Sequence, residues 1–169
     1  MHGNEQVASL LLVVFSVGVG VGSLLCEKFS HRHVEIGLVP VGAIGMTVFA
    51  IDLYLATRSL PLQAEMGVAA FITQPAHWRV LADLLLVSLF VGLYSVPMYA
   101  LIQLRSAPTH RARIIAANNI LNALFMIASS LIVGLLLDRG WSIPQIFLLL
   151  GLANAVVSFH IFMLVAEYV

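Results

Sequence analysis

The chain has 169 residues, eight Lys+Arg against eight Asp+Glu, and no formal net charge. Apolar residues make up 61% and charged residues 9%; an ordinary soluble domain carries about 45–50% and about 25%, so a soluble globular domain is excluded for want of polar groups to cover its surface. Disorder needs low hydrophobicity and high net charge, a nucleic-acid binder needs a basic patch, and a lone cysteine, Cys26, makes neither an internal disulfide nor a cysteine metal cluster.

A helix needs about 20 apolar residues to cross about 30 Å of hydrocarbon. Five runs qualify: Gln6 to Cys26, Val34 to Ala56, Val80 to Leu104, Ile114 to Leu137 and Ile143 to Val165. Barrel strands would be about 10 residues long and would alternate. Without water, helices satisfy the backbone of such long apolar runs. The predicted fold class is all-α, a polytopic helical membrane protein embedded in a lipid bilayer.

The first run lacks the positive flank of a signal peptide, since only His2, Asn4 and Glu5 precede it as polar residues, and it is long for one. It reads as a span. Its Ser16, Gly18, Gly20, Gly22 and Ser23 place small residues four apart, the pattern of a tight helix–helix seam or of a face that slides during gating. The second span, with Gly37, Gly42, Gly45 and Pro40, is similarly small and kinkable. Asp52 near its outer end and Asp83 near the outer start of the third span are expected to reach the interface. The third span holds Gly92, Tyr94, Ser95, Pro97 and Tyr99. Proline inside a helix frees a carbonyl and bends it, and in transporters such breaks lie near sites and hinges.

The fourth span carries Asn118, Asn119 and Asn122 within five residues. Buried amides are costly unless each is paired. Residues three and four apart share a helix face. At ~1.5 Å per residue from Ile114, Asn122 lies ~12 Å in, near the midplane, with Asn118 closer to the cytoplasm. One such residue suffices for interhelical hydrogen bonding, so three on one face point to a polar, substrate-binding cavity. Gln103 and His160 are expected at the interface. No catalytic constellation is present: His31, Arg32, His33 and Glu35 read as a solvated basic loop rather than a metal site, and Ser95 or Ser129 is poorly matched in depth to His160. No enzyme activity, cofactor or metal is expected.

Lys28 and Arg32 lie in one short loop and Arg105, Arg111 and Arg113 in another, five on one side against Arg58, Arg79 and Arg139 on the other. The positive-inside rule then predicts a periplasmic N-terminus and a cytoplasmic C-terminus. An odd number of spans starting outside suggests that a helix precedes Met1 in a longer parent.

Four segments, Gly18–Lys28, Val34–Ala43, Gly92–Gln103 and Arg113–Met126, resemble the lysophospholipid transporter-like branch of the major facilitator superfamily, which is often fused to or encoded beside a glycerophospholipid acyltransferase. The stretch from Ser23 through Glu27, Lys28 and Ser30 to Arg32 loosely resembles the superfamily's loop signature, with serines at both glycine positions. The resemblance implies that the five spans match the eighth to twelfth of twelve helices, an incomplete C-terminal half whose partner N-terminal half is absent. It implies a parent that moves lysophospholipid across a bacterial inner membrane by alternating access, with Asn118, Asn119 and Asn122 at the head group, an acyltransferase as domain or partner, and no transport by this chain alone. A carrier for another small solute of the same superfamily, or a small non-transporting membrane scaffold, is the alternative reading.

Overall fold

A computed structural model of the chain describes residues 5–29, 37–58, 60 and 66–164. The described residues form six α-helices: α1 (Glu5–Phe29), α2 (Leu38–Arg58), α3 (Val68–Thr73), α4 (Pro75–Arg105), α5 (Arg111–Asp138) and α6 (Ile143–Leu164). All but α3 are long and apolar enough to cross a membrane. The chain is an all-α, multi-pass protein of the membrane type. The predicted spans sit inside these five helices except at two ends: Val34 to Ile36 and Val165 lie outside the described residues, and Gly37 is a turn before α2. The loop with His31, Arg32, His33 and Glu35 also lies outside them.

Several hydroxyl groups in the spans are satisfied within their own helices. Ser9, Ser16 and Ser23 donate to the carbonyls of Glu5, Leu12 and Val19 at 2.8–2.9 Å, and Thr57 donates to Leu53 at 2.6 Å. This back-bonding lets a polar side chain sit in an apolar helix without a partner elsewhere. Pro40 is the third residue of α2, where its missing N–H would have had no intrahelical acceptor; no kink is needed there. Pro97 is different. It lies deep inside α4, buried, and removes the hydrogen bond that the Leu93 carbonyl would otherwise accept.

The centre of the bundle is α4, flanked by α1 and α2, with α6 packed on α2. Leu53 and Ala56 of α2 meet Val80 and Leu84 of α4, and Leu11, Val14, Leu60 and Phe147 close around them. The α1–α4 seam is a backbone-to-backbone approach. A Cβ at Gly22 would overlap the Leu89 carbonyl, and one at Gly92 would lie 2.5 Å from the Val19 carbonyl oxygen. Small residues are required there because the helix backbones themselves are in contact. On the opposite seam, Gly42 and Gly45 of α2 receive Tyr94 and the Phe90 ring of α4, and Phe90 stacks on Phe49 at 5.6 Å between centroids.

The short α3 was not foreseen. Phe71 stacks on His77, with ring centroids 4.1 Å apart. His77 Nδ1 donates to the Phe71 carbonyl at 3.0 Å, and Trp78 Nε1 donates to the Ile72 carbonyl at 2.7 Å. Two side chains from α4 thus satisfy the last carbonyls of α3, which a six-residue helix cannot pair internally. The same residues explain why α4 starts five residues before the predicted Val80. Pro75 is set for the first helical turn, and the polar groups that follow it bond to α3.

A tight connection joins α5 to α6. Gly140 has φ +84°, a left-handed conformation that favours glycine after a helix end. The Gly140 and Trp141 amides donate to Leu137 and Leu136 at 2.9 and 3.0 Å. Gln145 Oε1 then accepts from the Ser142 amide at 2.7 Å, the reciprocal half of a capping box that starts α6.

Candidate functional site

Between α4 and α5 lies an open groove of about 190 Å³ lined by Tyr94, Ser95, Met98, Tyr99, Ile102, Asn118 and Asn122. Helix α4 supplies five of these residues and α5 the two asparagines. The α4 positions fall three and four apart, so one helical face carries them. Asn122 Nδ2 donates to the Tyr99 hydroxyl at 2.9 Å, across the groove. Asn118, one turn away along the same face, is half-buried.

Asn119 is exposed and is not among the lining residues. The geometry of the helix accounts for this. At about 100° per residue, Asn118 and Asn122 are about 40° apart around the axis, while Asn119 stands about 60° beyond Asn122. A narrow groove admits the first two and turns the third away. Of the three asparagines, the structure brings two together.

The chemistry available in the groove is neutral and polar. Two phenol hydroxyls, one serine hydroxyl and two amides offer both donors and acceptors, and the lining contains no charged side chain. Met98 and Ile102 supply an apolar wall. The groove is open because α5 is hardly covered: none of its 28 residues is buried. Its outward residues include Ile120, Leu124, Phe125, Ile127 and Leu131, all more than half exposed.

Two polar constellations escaped the sequence reading. In α6, Asn154 Nδ2 donates to the Ala43 carbonyl at 2.8 Å and to Thr47 Oγ1 at 2.9 Å, tying α6 to α2. A single asparagine in an otherwise apolar span was the available signal. The second is ionic. Arg79 Nε donates to Asp52 Oδ2 at 3.3 Å, a second guanidinium nitrogen pairs with Asp52 Oδ1, and Asp83 Oδ2 lies 4.0 Å from Arg79 Nε. Asp83 is buried against protein, because it lies on the face of α4 that packs inward with Val80, Leu84 and Val87.

Compared with protein-family profiles, with curated protein sequences and with solved structures, the chain matches none.

Proposed function

We propose that the chain is part of a membrane transporter whose complete form moves lysophospholipid across a bacterial inner membrane. The α4–α5 groove holds the polar head group, and the acyl chain lies along the exposed apolar surface of α5. The single observation that carries this reading is a polar groove sunk between two apolar spans, with Asn122, Tyr99 and Asn118 converging on it. Amides and hydroxyls can bind a phosphodiester or a glycerol hydroxyl without the cost of burying a protein charge. At about 190 Å³ the groove is smaller than the about 300–1,000 Å³ of a complete small-molecule site. It suits one wall of a cleft whose other wall comes from a second transporter half. The family resemblance supplies the choice of lipid over other solutes. The turn between α4 and α5, with Arg105, Arg111 and Arg113, is cytoplasmic in this reading.

The full chain in lipid nanodiscs tests the assignment. A short-chain lysophospholipid should bind, and the Asn122→Ala/Tyr99→Phe variant should bind about tenfold more weakly, a loss of about 1.4 kcal/mol, with thermal stability near that of the parent. Equal binding by the double variant, or equal binding of a simple sugar, overturns the head-group reading. In liposomes the chain alone should move no lysophospholipid, because alternating access needs two halves.

The scaffold reading keeps one specific observation in its favour. Asn154 Nδ2 serves as interhelical glue, and Asn122 already holds Tyr99. Under that reading the double variant loses stability and binds nothing to begin with.

A further inference from the structure

Away from the groove, near the N-terminal end of α4, the bundle encloses a charged triad. Two carboxylates, Asp52 from α2 and Asp83 from α4, share one guanidinium, Arg79. The three are graded in exposure: the Arg79 side chain is 56% exposed, Asp52 33% and Asp83 5%. The guanidinium forks onto both oxygens of Asp52, the bidentate geometry that arginine prefers with a carboxylate. Asp83 is left behind it. Its Oδ2 is fully buried and accepts no hydrogen bond from the described residues, and Arg79 Nε, at 4.0 Å, is beyond bonding reach.

The charges do not balance. Two carboxylates and one guanidinium sum to one negative charge, and that charge falls on the most buried oxygen of the set. A buried ion without a donor is strongly destabilising, and in proteins such a group neutralises instead. Among the described residues, Arg79 is the one cation paired with either carboxylate. From α2 comes Asp52, also acidic, and from α4 itself Arg79, already forked onto Asp52. His77 of α4 is engaged by α3 through Phe71. From α1 and α6, the apolar Leu11, Val14 and Phe147 pack against the adjoining core of Leu53, Ala56, Val80 and Leu84. A metal cation would need to sit beside the guanidinium charge, which repels it.

We propose that Asp52, Arg79 and Asp83 form a one-proton binding site, with the proton on Asp83. The proton comes from a hydronium ion in the water at the exposed edge of Asp52. One O–H bond of the hydronium breaks and leaves a water molecule, one O–H bond forms on the Asp83 carboxyl, and the triad passes from one negative charge to none. The new O–H gives the buried oxygen a donor of its own, directed at the Asp52 carboxylate. The site joins α2 to α4, so gain or loss of its proton acts on that pair of helices. This inference rests on the triad alone and stands or falls independently of the groove.

Infrared spectroscopy of the full chain in nanodiscs reads the proton directly. As the pH falls from neutral to mildly acidic, the wild-type chain should gain the C=O stretching band of one protonated carboxylic acid ahead of its other carboxyls. Asp83→Asn, which keeps size and shape, should lose the band. Arg79→Gln should keep it, because removing the guanidinium leaves Asp83 with even less compensation. Absence of the band in the wild type, or its survival in Asp83→Asn, overturns the proposal. So does an absent band accompanied by stabilisation on adding sodium, which would make the occupant a metal cation. Dicyclohexylcarbodiimide, an apolar reagent for protonated carboxyls, provides a reading that needs no variant. Peptide mass mapping of the labelled wild-type chain should place the adduct on Asp83, and an adduct confined to other carboxyls refutes the assignment.

Discussion

Where α4 meets α1, glycine lies against backbone; where it meets α5, an asparagine reaches a tyrosine hydroxyl across a groove. The first seam excludes everything, including a methyl group. The second leaves room for a ligand and holds its two helices together with very little. In a bilayer, where lipid tails compete equally for apolar surface, packing density and hydrogen bonds decide which helices associate. One side of α4 uses the former and the other side the latter. The contrast teaches that a single helix can serve as a rigid wall toward one neighbour and as a binding surface toward another.

The most damaging way to break this contrast is to fill the dense seam. Gly22→Leu forces a side chain into the Leu89 carbonyl and should cost about 3 kcal/mol, at the upper end of overpacking, read as the midpoint of unfolding in mixed detergent micelles. Gly20→Leu on the same helix, with nothing within 4 Å of its added Cβ, should leave stability unchanged or raise it by up to about 1 kcal/mol. If both substitutions cost the same, the seam is not where the structure places it.

Next in size is the α2–α6 tie. Asn154→Ala removes two interhelical hydrogen bonds and should cost about 1–2 kcal/mol in the same assay. Asn122→Ala removes one bond between loosely joined helices and should cost about 0.6 kcal/mol, while weakening lysophospholipid binding. A larger stability loss at Asn122 than at Asn154 would reverse the distinction between glue and groove. The smallest expected effect is at Asn119. Its alanine variant should change stability by less than about 0.5 kcal/mol and leave lipid binding intact; reduced binding would show that the groove is wider than the lining residues indicate.

The five spans were legible because hydropathy is a local sum: twenty apolar residues mean the same thing whatever surrounds them. Relations between helices were not. Asp52 and Arg79 are 27 residues apart, and nothing in the spacing says which turn of α2 faces which turn of α4. Asp83 was therefore read only by its place near a span end, although its own neighbours Val80, Leu84 and Val87 already marked an inward face. Asn119 was grouped with Asn122 by the three-residue rule, which is too coarse for a groove spanning about 40° of helix surface. Asn154 was passed over because it stands alone, while three clustered asparagines drew the eye. The physical cost of an unpaired amide is the same in both places. Helix α3 has only six residues, below the length at which periodicity can be read, and it is held by rings and indole from the next helix.

Helix α4 has 31 residues, about 46 Å at the usual rise, against a hydrocarbon slab of about 30 Å. The surplus must be met by tilt or by turns that stand in the head-group layer. Trp78, 62% exposed, and Arg79 occupy the early turns, side chains that anchor at that level. Such side chains favour one depth for that end of α4, and tilt is the usual way a long span meets a thinner membrane. Helices α1 and α2, locked to α4 by their glycine seams, must follow. Helix α5, held at the groove by one side-chain hydrogen bond, need not. The dense part of the bundle, α1, α2 and α4, is thus built to meet a change in bilayer thickness as one piece, with α5 the span least tied to it.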